Sequence, residues 1–119
     1  MTPFTETLRH LARLPGVTLA MTAGASDGLI VESGDAGIHS EEQSLRKHTA
    51  ALASFLYARA GRASAAAGLG APVFMRLEAE RGQLCVVGCG EIVLVTLLES
   101  VANLGRIRLD MLTAARGAE

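Results

Sequence analysis

The amino-acid sequence predicts a three-layer α-β-α sandwich of the α/β class, and three observations predict it. Hydrophobic periodicity runs in the order α-β-β-α-β-β-β-α. The last two strands are apolar on both faces, so helices must cover their sheet above and below. No internal repeat and no linker divides residues 1–119, which reads as a single domain on a single, mostly antiparallel sheet. At 119 residues folding buries roughly two-thirds of the extended chain's surface. With 50% apolar and 19% charged residues the chain is globular in composition. Disorder is expected only at Gly117-Ala118-Glu119.

Each element has its own signal. Thr2-Pro3 supplies an N-cap and first helical residue. Phe4, Leu8, Leu11 and Leu14 then repeat at helical spacing, with Arg9 and Arg13 off the stripe, until Pro15-Gly16 stops the helix. Val17-Thr18-Leu19-Ala20-Met21 alternates as a half-buried strand. Ala25-Ser26-Asp27-Gly28 is a tight-turn sequence, and Leu29-Ile30-Val31 returns as the second strand of a hairpin. After the loop Ser33-Gly34-Asp35-Ala36-Gly37, Ser40-Glu41-Glu42-Gln43 forms a capping box, and its glutamates suit the positive end of the helix dipole.

The helix that follows runs to Ala67. Leu45, Thr49, Leu52, Leu56 and Ala60 lie on one face, with Ala51, Phe55 and Ala58 on an adjoining one. Gly68-Leu69-Gly70-Ala71-Pro72 ends it. Residues 73–78 alternate, with Val73, Met75 and Leu77 on one side and Phe74, Arg76 and Glu78 on the other. Glu80-Arg81-Gly82 turns the chain into a strand over residues 84–89. Gly90-Glu91 connects tightly to the last strand, residues 92–98. Leu104, Ile107, Met111 and Ala115, with Leu112 alongside, mark the final helix.

Composition excludes several classes. The net charge of −1 offers no electrostatic funnel for nucleic acid. Phe4, Phe55, Tyr57 and Phe74 are too few for a base-stacking platform. The first six residues lack the basic stretch and apolar run of a signal peptide. The longest apolar region, 84–98, is shorter than the ~20 residues of a spanning helix and is broken by Gly88, Gly90 and Glu91. A cytoplasmic protein without a membrane span is expected. Cys85 and Cys89 sit four apart on a strand, so their α-carbons are ~13 Å apart, too far for a disulfide. They read as small buried hydrophobes.

No constellation of residues supplies catalysis. Gly68-Leu69-Gly70 runs into a proline and a strand, whereas a phosphate loop must open a helix. Gly88-Cys89-Gly90 joins two strands. His10, His39 and His48 have no metal-site spacing and read as solvated. Ser26, His48 and Asp27 form a triad only on paper, since no nucleophile elbow surrounds the serine. Glu41 and Glu42 are explained by a first helical turn, and Arg76 with Glu78 by an ion pair on one strand face or a solvated rim. The chain is therefore read as no enzyme, with no cofactor and no metal.

What remains is surface. Residues 73–78 begin after a proline and carry one charge of each sign. At a sheet edge such a strand lacks the usual protection against pairing. Beside it lies a helix whose apolar arc is broader than one sheet contact needs. An open edge next to an apolar helix is the pattern of a protein that pairs with itself. Leu52, Phe55, Val73, Met75 and Leu77 are the residues expected at that dimer interface.

The sequence also resembles a known family. Leu11-Ala12-Arg13-Leu14-Pro15-Gly16-Val17 resembles the entry of the Roadblock family into its first strand. Ser26-Asp27-Gly28-Leu29-Ile30 resembles its hairpin turn. Leu94-Val95-Thr96-Leu97-Leu98 with Ala102-Asn103-Leu104-Gly105-Arg106-Ile107-Arg108 resembles its last strand and the start of its last helix. The resemblance, with the element order, covers nearly the whole chain. It implies a five-stranded sheet with the long helix on one face and the short helices on the other, and a dimer joined through the third strands and long helices. The family includes dynein light chains, scaffolds for small GTPases, and a bacterial gliding-motility regulator that speeds GTP hydrolysis by its Ras-like partner. The Ala-, Arg- and Gly-rich composition fits a bacterial source.

By that resemblance the partner is a Ras-like small GTPase, docked across the paired long helices on a surface that includes Arg46, Lys47, Arg59 and Arg62. The competing reading of those four is a solvated helix face. The expected function is a homodimeric module that regulates or scaffolds the GTPase. Its alternatives are an adaptor subunit of a motor or signalling complex, without effect on hydrolysis, and a small-ligand sensor. The interior of Leu, Val and Ala offers a ligand no cluster of orienting polar groups.

Overall fold

A computed structural model describes residues 3–34 and 40–117, with side chains described in the second segment from residue 43. Its elements are α1 (Thr5–Ala12), β1 (Val17–Gly24), β2 (Ile30–Ser33), α2 (Ser40–Ala66), β3 (Met75–Ala79), β4 (Gly82–Cys89), β5 (Ile92–Leu98) and α3 (Leu104–Gly117). The order is the expected one. The strands form one five-stranded sheet, β2-β1-β5-β4-β3, antiparallel at every pairing.

Helices cover both faces. Phe4, Leu8 and Leu11 of the α1 layer, with Ile107, Met111, Leu112 and Ala115 of α3, pack on Ala20, Cys85, Val87, Leu94 and Leu98. On the other face, Ala50 and Ala53 of α2 meet Leu19, Met21, Leu84, Val86, Val93 and Val95. Each large side chain withdrawn from water in this way contributes roughly 1.5–3 kcal/mol before entropy is charged against it. As expected, β4 and β5 are buried on both faces over most of their length.

Several local readings shift. α1 starts at Thr5, with Phe4 at its N-cap and no side-chain cap bond; Thr2 lies outside the described residues. The helix also ends at Ala12, before Pro15-Gly16. β1 is not half-buried: Leu19 to Ala23 are all buried. Ala20 faces α1 and α3 while Leu19 and Met21 face α2, because β1 lies inside the sheet between β2 and β5. Its alternation of large and small residues records two covered faces of unequal depth, not one wet face. The capping box at Ser40 falls on side chains outside the described residues, as does His39.

The face of α2 is the most instructive difference. Arg46, Thr49, Ala50, Ala53 and Ser54 are buried, whereas Leu45, Leu52 and Phe55 are 43%, 45% and 58% exposed. Ala50 and Ala53 are the fully buried residues of the contact with the sheet, with Leu56 and Tyr57 packed partly buried beside them. Small side chains bring the helix axis close to the strands, and the larger ones are pushed to its flanks. The approach is closest at two glycines. A β-carbon on Gly28, which has φ +69°, would lie 3.1 Å from the Ala51 Cα, and one on Gly88 would lie 2.0 Å from the Tyr57 hydroxyl oxygen. Left-handed backbone and a close neighbour both require glycine at position 28.

The β1–β2 turn is tied down at several points. Asp27 Oδ1 accepts the Leu29 amide at 2.9 Å, and Ser54 Oγ donates to the Gly24 carbonyl at 2.8 Å. The Ala25 amide reaches the Glu91 carbonyl at 2.8 Å. This links the hairpin turn both to α2 and to the neighbouring β4–β5 turn.

Candidate interaction surface

Among the described residues β3 pairs with β4 alone, from Met75 opposite Val86 to Ala79 opposite Gly82, and forms one border of the sheet. Its far side therefore presents unpaired backbone groups. Leu77 lies opposite Leu84, a member of the core beneath α2, so Met75 and Leu77 share the α2 face. Leu77 is 41% exposed. It lines a shallow hollow of about 260 Å³ with Thr49 and Leu52 of α2 and with Leu84 and Leu97 of the sheet. Half-exposed leucines from two elements thus converge beside an open strand edge.

The other face of β3 is polar. Arg76 Nη2 donates to Glu78 Oε2 at 2.7 Å, the ion pair expected on that strand face. Arg76 Nε also donates to Gln83 Oε1 at 2.9 Å. Gln83, only 2% exposed, turns its amide nitrogen toward the carbonyls of Glu99 and Ser100 at 3.3 Å each. The arginine is held in place from the strand behind it. Gln83 escapes sequence reasoning, since a polar residue at the start of an apolar strand carries no distinguishing pattern.

The remaining candidate residues separate into groups. Met75 is partly buried against the α2-side core. Val73 lies outside β3 and is exposed. Phe55 projects on the flank of α2 that borders the β1–β2 turn, lining a hollow of about 520 Å³ with Asp27, Gly28, Ala51 and Arg62. It stands three residues from Leu52, its neighbour on the exposed side of the helix. Arg59 lies over the Phe55 ring, 5.4 Å from its centroid, a contact whose only sequence signal is the four-residue spacing. Lys47, Arg59 and Arg62 are exposed. Arg46 is 6% exposed and its guanidinium donates to the Ser33 hydroxyl on β2. This bond joins α2 to β2.

Potential chemistry stays dispersed. His48 Nδ1 lies 3.5 Å from Ser44 Oγ on its own helix, while Ser26 and Asp27 stand in the hairpin turn. His10 is exposed, as read, and also bridges α1 to α3, with Nε2 2.9 Å from Asp110 Oδ2. Arg106 reaches the same oxygen at 3.0 Å. Desolvation pushes the Asp110 carboxyl up, but its bonds to His10 and Arg106 outweigh that and hold it below its usual range. Burial pushes the Cys85 thiol up to about 11, against smaller opposing effects of Thr96 and Arg76. Cys85 and Cys89 are both free thiols. Among the described residues no group of three His, Cys, Asp or Glu side chains could hold a metal ion. Among them, too, no helix is long and apolar enough to cross a membrane.

The fold is a helix-covered antiparallel sheet with one open edge at β3. The chain belongs to the Roadblock/LC7 domain family, whose profile matches residues 3–98; these modules are generally regulatory and non-catalytic. Two uncharacterized proteins of Methanocaldococcus jannaschii are 33% and 35% identical to it over 108 residues, covering 91% of this chain and 90% and 86% of theirs. Its fold is shared with a Roadblock/LC7 domain from Streptomyces avermitilis (TM-score 0.78, 22% identity, covering 95% of this chain and 92% of that one). It is shared equally with MglB of Myxococcus xanthus (TM-score 0.78, 17% identity, covering 98% and 91%). MglC of the same organism is also similar (TM-score 0.65, 14% identity, covering 98% and 97%).

Proposed function

We propose that this chain is a single, cytoplasmic, non-enzymatic Roadblock domain that forms a homodimer and binds a Ras-like small GTPase, regulating or scaffolding it. The observation that carries the reading is the unpaired β3 edge flanked by half-exposed Leu52 and Leu77. In this reading β3 pairs with β3 of a second copy, and the Leu52 flank of α2 meets its counterpart. Met75 and Leu77 complete the apolar seam, with Val73 at its end.

The outward side of the paired α2 helices then presents Phe55, Arg59 and Arg62, with Lys47 nearer β2. These residues form the docking surface. Phe55 lies between this surface and the dimer seam, next to Leu52 on the helix and beside Arg62 in the hollow at the β1–β2 turn. Arg46 supports the surface from beneath through Ser33. Two observations favour docking over direct participation in hydrolysis: Arg46 is turned inward, and Arg59 is laid on Phe55. Any acceleration of GTP hydrolysis would then come from repositioning the partner's own residues. An adaptor without effect on hydrolysis would use the same surface.

Retention of the Ras-like GTPases of its own organism on the immobilised chain, each loaded with GDP or a GTP analogue, tests the proposal. One GTPase retained in the GTP form, and released by Arg59→Ala or Phe55→Ala, is the expected outcome. Failure to retain any GTPase in either form would refute the GTPase reading and leave an adaptor role.

A further inference from the structure

We infer that the two copies of β3 pair in one register, centred on Leu77, and that Arg76 and Glu78 enforce it as a four-charge ring across the two-fold axis. The inference rests on the β3-edge dimer proposed above and adds what makes the edge select its own kind.

Two copies joined with both α2 helices on the same face of the combined sheet must oppose residues that share a face. Side chains alternate along a strand, so opposed residues must be separated by an even number of positions. The axis therefore passes through a residue. Five choices lie within Met75–Ala79. An axis at Arg76 sets two arginines against each other, and one at Glu78 sets two glutamates against each other. An axis at Met75 carries the pairing back to Pro72, which has no amide to donate. An axis at Ala79 runs it into the turn at Glu80. Only an axis at Leu77 keeps all five residues of β3 paired, Met75 with the partner's Ala79 and Leu77 with the partner's Leu77.

That register also sets Arg76 opposite the partner's Glu78, and Glu78 opposite the partner's Arg76. Opposed side chains on one face have β-carbons ~4.5–5.5 Å apart, and opposite charges there attract. Within one chain Arg76 already touches Glu78 at 2.7 Å. The four side chains then alternate in sign around the axis. Gln83 holds Arg76 through Nε, leaving its terminal nitrogens to bridge both carboxylates. On the opposite face the same axis brings Leu77 against the partner's Leu77, beside both Leu52 side chains. The apolar seam and the charge ring agree on one centre.

The experiment compares the full chain with R76E, E78R and the double variant R76E/E78R by sedimentation, and an equimolar mixture of the two single variants by native mass spectrometry. Each single variant sets like charges opposite one another twice, and should weaken self-association roughly tenfold. The double variant restores opposite signs and should recover most of that loss. The mixture should form mixed dimers well above the one-half given by random pairing, because every opposed pair across the mixed interface is attractive. In a Cys89→Ser background, L77C alone should also form an interchain disulfide on oxidation, whereas M75C and A79C should do so efficiently only when mixed; this arm stands if a charge variant folds poorly. A dimeric parent with random pairing in the mixture, or with no preferential L77C cross-link, overturns the register and leaves the dimer standing. A monomeric parent overturns both.

Discussion

Gly88→Ala tests how α2 is seated on the sheet, on which the interaction surface depends. A β-carbon at this position would lie 2.0 Å from the Tyr57 hydroxyl oxygen and 2.5 Å from its Cζ. Gly88 is not among the residues with positive φ, so an alanine incurs no backbone strain and the collision alone sets the cost. Tyr57 must swing away, giving up its packing against the sheet and its 3.3 Å contact with the Pro72 carbonyl. Overpacking of this kind costs about 1–3 kcal/mol, or several degrees of melting temperature for a domain of this size. In a Tyr57→Ala background the collision is gone, and Gly→Ala within a strand should be neutral or stabilising by about 0.5–1 kcal/mol. Urea unfolding of the four species at one fixed concentration, so that self-association contributes equally, measures the coupling. A Gly88→Ala penalty of the same size in both backgrounds would refute the reasoning.

Other expectations follow from the same contacts. Met75→Lys introduces a charge on the apolar side of the β3 edge and should weaken self-association at least tenfold, read by sedimentation. Ser54→Ala should cost only about 1 kcal/mol, because the Gly24 carbonyl keeps the Gly28 amide at 3.0 Å; thermal melts check this. Asp110 titrates below its usual range when folded, so its stabilisation is present above the ordinary carboxylate range and is lost as pH falls through it. Asp110→Asn should accordingly flatten acid unfolding below about pH 4. Cys85, raised to about 11, binds its proton more tightly folded than unfolded, so stability should decline as pH climbs from about 9. Cys85→Ala should remove that decline.

The element order, the two-sided burial of β4 and β5 and the hairpin turn were legible in the sequence because each rests on local periodicity or on one turn dipeptide. The open edge at β3 was legible too, through its proline and its sparse charges. The facing of α2 was not. Its leucines and alanines both recur at helical spacing, and nothing local says that the closer-packing alanines take the sheet while Leu45 and Leu52 stay on the flank. The same ambiguity set Arg46 among the surface cations although it is buried and its guanidinium reaches Ser33. β1 misled for a related reason, since an alternation of large and small residues resembles that of buried and exposed ones. Contacts that depend on the meeting of distant segments, Gln83 with Arg76 and Tyr57 over Gly88, leave no periodic trace.

Sedimentation equilibrium of the purified chain over a wide concentration range tests the central claim most directly. A mass of twice the 12.4 kDa chain, falling toward one chain for Met75→Lys, is the expected result. A parent that stays at one chain mass throughout, or a dimer that Met75→Lys leaves untouched, would contradict the placement of the working surface at β3 and α2.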